Sequence, residues 1–180
     1  LYSIAYTTNT GENDVFIITD EDIDEATPCD SVRDALQEFR DAVHRTDPDV
    51  ITGWNVIDFD FERLATFHDE HDVPFDYGRV PDESDLTIRS AYMRDSSMDV
   101  TGRMVLDGIH VLRNNFIDLD DYKLRTAAEH FLDETKLFGA ENKESTIQDA
   151  YHDEPGRLAE YNLHDAELVL DILEASNALD

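Results

Sequence analysis

The chain has 180 residues, 41% of them apolar, and its 43 Asp and Glu against 14 Lys and Arg give a net charge of -29. That length and apolar share admit one domain with a sizeable core, and the periodic apolar residues argue against a disordered chain. A single cysteine, Cys29, excludes an intrachain disulfide and fits a reducing, cytoplasmic interior, while no apolar run or signal-like segment points to a membrane.

LYSIAYT and DVFIIT are short β-rich runs separated by the turn signal TNTGEND, so a hairpin is predicted. TDEDIDEATPCD reads as an acidic loop. SVRDALQEFRDAVHRT is an amphipathic helix with Ser31 as N-cap and Val32, Leu36, Phe39 and Val43 on one stripe. DPDVIT gives a turn and a third strand, and NVIDFDFERLATFHDEH a second helix. Residues 72 to 102 are polar and read as an excursion over the surface, after which GRMVLDGIHVL resumes as a strand or strand pair. DDYKLRTAAEHFLDE is helical, and two further helices are predicted around residues 144 to 152 and 154 to 177. Interleaved strands and helices make an α/β protein, a mixed sheet flanked by helices. The opening Leu1, with no Met before it, reads as a cut from something larger.

A surface this rich in carboxylates is expected of proteins working in concentrated salt, where counterions screen the self-repulsion. The acidity argues against nucleic acid as a partner, but only at low salt, because strong salt screens long-range attraction for every protein.

Helical geometry sorts the carboxylates of GWNVIDFDFERL. At about 100° per residue from Ile57, Asp60 falls at about 300° on the edge of the apolar stripe, while Asp58 and Glu62 turn towards solvent. In RLAEYNLHDAELVLDIL, Asp165 falls inside the apolar stripe, one turn from Tyr161 and on the same face. Two inward aspartates on different helices suit hard divalent cations such as Mg²⁺ or Mn²⁺, though for Asp165 a buried Asp capping another element is the alternative, and for Asp60 a hydrogen-bonding partner is. A neighbouring phenol could orient a water for metal-assisted phosphodiester hydrolysis.

DPDVITGWNVIDFD resembles the second exonuclease motif of family B DNA polymerases, Asn-x-x-x-Phe-Asp after a strand, at Asn55, Phe59 and Asp60. YNLHD resembles the third, Tyr-x-x-x-Asp, at Tyr161 and Asp165. The resemblance spans nearly the whole chain. It implies a single RNase H-like 3′–5′ exonuclease domain over residues 1 to 180, of the four-acid type with a tyrosine, working with two metal ions on a single-stranded DNA 3′ end. Asp60 and Asp165 would be metal ligands, Tyr161 would position the attacking water, and Asn55 would lie near the substrate, as would Trp54 if it stacks on a base. Phe59 is read as holding the helix start and is counted with Asn55 and Trp54 among the substrate-binding candidates.

The family's first motif, an Asp-x-Glu strand, should precede LYSIAYT and is not seen, so the sheet is expected to lack its first strand. Asp22, Asp24 and Glu25 have the wrong spacing to replace it and read as a solvated loop. Without the first motif the domain could be an inactive relic that binds DNA or braces the other polymerase domains. A free-standing exonuclease is a third reading. His68 and His71 read as a surface helix end, Asp107 as structural.

Overall fold

β-branched and aromatic residues in SIAYT and NDVFII pair as strands β1 (Ser3–Thr7) and β2 (Asn13–Ile18), antiparallel with Ala5 opposite Val15. The structure, a computed structural model, describes residues 1–24, 26–82, 84–89, 96–132 and 151–177. Chain order continues with β3 (Thr27–Cys29), α1 (Val32–Thr46), β4 (Val50–Gly53), a π-helical turn (Val56–Phe61) running into α2 (Glu62–Glu70), and β5 (Asp85–Thr87). β6 (Ser97–Asp99), β7 (Met104–Asp107), α3 (Gly108–Asn114), α4 (Leu124–Leu132) and α5 (Pro155–Ala175) follow. The elements divide between two compact units, Leu1–Ser31 with Asp118–Asp180, and Val32–Ile117. The α/β class is as expected. Among the described residues the mixed sheet is present as three small ones: β1-β2-β3, the parallel pair β4-β7 and the antiparallel pair β5-β6.

In the first unit the hairpin turns through Gly11, whose φ of 87° suits a residue without Cβ. Thr8 Oγ1 accepts the Glu12 N–H at 2.9 Å and closes the turn. The loop expected up to Asp30 is a strand at its end, because β3 pairs parallel to β2. Asp22 and Asp24 are exposed, and Glu25 lies outside the described residues. α5 packs on β1, β2 and α4, with Val15, Ile17 and Ala159 at the centre and Leu163 beside them. Asn162 Nδ2 donates to Ser3 Oγ at 2.9 Å, tying the helix to the first strand. Of the helix expected at residues 144 to 152, only its last residues are described, and Tyr151 there donates its hydroxyl to the Ile18 carbonyl at 2.7 Å.

In the second unit α1 buries Ala35, Leu36, Phe39, Ala42 and Val43. The segment after α2 is no surface excursion: Tyr77 is fully buried and packs on Phe39, Phe61, Phe75 and His68. Arg40 makes a two-point ion pair with Asp76, and His44 Nε2 meets the Asp76 carbonyl at 2.9 Å. Arg103, its side chain 1% exposed, donates to the carbonyls of Tyr77 at 2.8 Å and Pro48 at 2.5 Å. These polar ties hold an irregular segment that its sequence alone marks as loose.

His68 also departs from expectation. It is 1% exposed, with Nδ1 3.1 Å from the Val73 carbonyl and Nε2 2.7 Å from the Tyr77 hydroxyl. Burial disfavours its charged form and lowers its pKa. GIHVL is likewise not strand: β7 stops at Asp107, whose side chain caps α3 by accepting from the Ile109 and His110 N–H groups.

Candidate functional site

β4 and β7 run parallel and end side by side, Gly53 opposite Asp107, each turning at once towards a helix. The carboxyl ends of parallel strands are where open α/β sheets gather ligands. Close approach favours glycine at both Gly53 and Gly108. A Cβ on Gly53 would lie 2.8 Å from the Val56 side chain, and one on Gly108 would lie 3.1 Å from the Trp54 ring and 3.2 Å from the Gly53 carbonyl oxygen. Trp54 is half-buried, its ring against the start of α3.

Asn55 takes a left-handed conformation, φ 57° and ψ 30°, and the chain then enters the π-helical turn. Asn tolerates this region better than most residues, which explains its place at the sharp exit from β4. Its side chain supplies no cap to the turn. Asp107 does so instead: Oδ2 accepts the Ile57 N–H at 3.2 Å, while Oδ1 accepts from Ile109 at 3.0 Å and His110 at 3.4 Å.

Within the turn Val56, Ile57 and Phe61 are buried, and Phe59 is 53% exposed with the Arg63 guanidinium 5.6 Å above its ring. The expectation that Phe59 packs the helix start is corrected by that exposure. Asp60 is exposed, yet the protein crowding it and the nearby Asp107 charge push its carboxyl up to about 6. Solvent reaching the residue screens part of both effects. Asp58 is not simply solvent-facing: its Oδ2 lies 4.0 Å from His110 Nε2. Glu62 is exposed, as expected. A cleft of about 680 Å³ opens nearby, with Ile57, Met98, Asp107 and His110 in its lining.

In the other unit Tyr161 and Asp165 lie one turn apart on α5, each half-buried. Burial first, then the Asp165 charge and a hydrogen bond to its side chain, push the Tyr161 phenol up to about 12. The phenol is thus a neutral donor at ordinary pH. Among the described residues no group of three or more His, Cys, Asp or Glu side chains gathers to hold a metal ion. Asp60 nonetheless fits a hard cation in kind, as an oxygen ligand whose charge is disfavoured until a positive partner relieves it.

The model of the DNA polymerase family B exonuclease domain matches residues 5–127. The chain belongs to this family. The match takes in Asn55, Phe59, Asp60 and Asp107 and stops short of Tyr161 and Asp165. Among similar family members, DNA polymerase II of Escherichia coli is 32% identical over 136 residues, 74% of this chain and 17% of that protein. The DNA polymerase delta catalytic subunit of Bos taurus is 34% identical over 150 residues, covering 78% of this chain and 14% of the relative. That of Caenorhabditis elegans is 28% identical over 155 residues, 81% and 14% respectively. The chain thus spans about one seventh to one sixth of the length of these polymerases. Asp107, read from the sequence as structural, is so in the fold, where it caps α3; the Asp-Gly pair ending a strand is a local N-cap signal, but its bond to Ile57 leaves no mark in the sequence. No helix among the described residues is long and apolar enough to cross a membrane.

Proposed function

We propose that this chain is the proofreading 3′–5′ exonuclease domain of a family B DNA polymerase, hydrolysing the terminal phosphodiester of a single-stranded DNA 3′ end. The observation that carries the reading is Asp60: a solvent-reached carboxylate of raised pKa, on a capped turn beyond parallel strands, inside the region matched by the exonuclease family. Asp60 and Asp165 are metal ligands in this reading, Tyr161 orients the attacking water as a neutral phenol, and Asn55 and Phe59 meet the substrate strand. Trp54 contributes by packing the corner that presents Asn55. Bound Mg²⁺ or Mn²⁺ would supply the positive charge that phosphodiester hydrolysis needs. The partners in this reading are DNA and the remaining polymerase domains, and the net charge of -29 supports work in concentrated salt.

The test is trimming of a 3′-labelled single strand by the intact protein in high KCl with Mn²⁺. Loss of trimming in both Asp60→Ala and Asp165→Ala supports the reading; a wild type no faster than either variant sinks it. A second reading, a non-catalytic domain bracing the polymerase, is favoured by the lack of a three-ligand group among the described residues. DNA binding without Mn²⁺-dependent cleavage would select it.

A further inference from the structure

The Asp107 carboxylate serves two helical starts at once. Oδ1 caps α3 locally, and Oδ2 reaches a residue 50 positions earlier to accept the Ile57 N–H. A local N-cap needs one oxygen, as Ser and Thr caps demonstrate. The second oxygen is committed to the turn that carries Asp60. That turn depends on it for a physical reason: helix starts leave amides without intrahelical acceptors, π-turn bonds reach one residue further than α-helical ones, and Asn55 supplies no side-chain cap. Asp107 is 2% exposed, so water competes little for either oxygen. Gly53 and Gly108, by letting the two strand exits approach, keep the carboxylate within reach of Ile57.

We infer that Asp107 is a positioning residue for Asp60, its bond to Ile57 holding the π-helical turn in the register that presents the Asp60 carboxylate. The use made of that carboxylate rests on the exonuclease reading; the hold on the turn does not. Asp107→Ser separates the two caps, because a hydroxyl can serve α3 but is too short to span to Ile57. Asp107→Asn keeps the length but turns an N–H₂ group towards one set of donors.

The test compares both variants with wild type in the intact protein, by amide hydrogen exchange and by the Mn²⁺ concentration needed for half-maximal trimming. In Asp107→Ser, exchange over residues 55 to 61 should quicken about tenfold while α3 stays near wild type. The Mn²⁺ requirement should rise about 10- to 100-fold, with the rate recovering at saturating Mn²⁺. Unchanged exchange in that turn, or quickening spread evenly over Val32–Ile117, overturns the proposal. A wild type that neither trims DNA nor binds Mn²⁺ refutes the exonuclease reading, and the exchange pattern then decides the positioning role alone.

Discussion

The Tyr161 hydroxyl is hydrogen-bonded to the Asp165 side chain one turn further along α5. The bond fixes the direction of a phenol that burial keeps protonated. Tyr161→Phe should leave the fold intact and slow single-strand trimming about 10- to 100-fold, the cost of a poorly oriented water. With the phenol pushed up to about 12, the pH–rate profile should show no limb from this group below about pH 10 in wild type or variant. Such a limb, lost in the variant, would make Tyr161 a base instead.

Asp60 links the candidate site to stability. Its carboxyl titrates at about 6 when folded and at its ordinary 3.8 when unfolded, so between these values the folded state binds the proton more tightly. Stability therefore falls as pH rises through this window and stays lower above it. Asp60→Asn should melt higher than wild type at pH 7 in EDTA, by about 1 kcal/mol or less given the solvent screening, and the gap should close near pH 4. Thermal melts across that range check both sign and window.

His68 acts in the opposite sense. Its ordinary pKa of 6.5 is lowered by burial, so the unfolded state takes up the proton first as pH falls. Wild-type stability should thus decline below about pH 6.5 from this group. His68→Leu should cost about 1–3 kcal/mol at pH 8 by leaving the Tyr77 hydroxyl unpaired, and the cost should shrink towards pH 5. Urea titrations at the two pH values measure it.

Arg103→Met should destabilise by about 2–4 kcal/mol, since the carbonyls of Tyr77 and Pro48 lose a shared donor in a site closed to solvent. A loss under 0.5 kcal/mol, about what a surface substitution costs, would show that the segment after α2 does not rely on this tie.

Salt should stabilise the protein. At 2 M KCl the Debye length falls below about 3 Å, from about 8 Å at physiological strength, and repulsion among the surplus carboxylates fades. A melting temperature that is flat or falling with KCl would sink the salt-adapted reading.

The parts of the fold set by local pattern were legible. Short runs of β-branched and aromatic residues around a turn signal gave away β1 and β2, and the Leu36, Phe39, Val43 stripe marked α1. IHVL looked like strand because Ile and Val are β-formers, but the Asp107 cap and the glycine after it start a helix there. His68 was misread because a histidine beside acidic residues looks hydrated; its spacing of four from Leu64 puts it on the buried stripe. For Asp60 the 100° projection assumed an α-helix, and the π-turn gives it more solvent than that projection allowed. The tie from Asp107 to Ile57 could not be read at all, since it joins residues 50 positions apart.

The division of the chain bears on how the protein is made. Val32–Ile117 is continuous and can begin to fold while the ribosome is still adding residues behind it, whereas the other unit joins Leu1–Ser31 to Asp118–Asp180. β1 and β2 leave the ribosome long before the helix that packs on them, Pro155–Ala175. Until that helix is made the hairpin's apolar side lacks its native cover, making it a stretch of the nascent chain where a chaperone would find purchase.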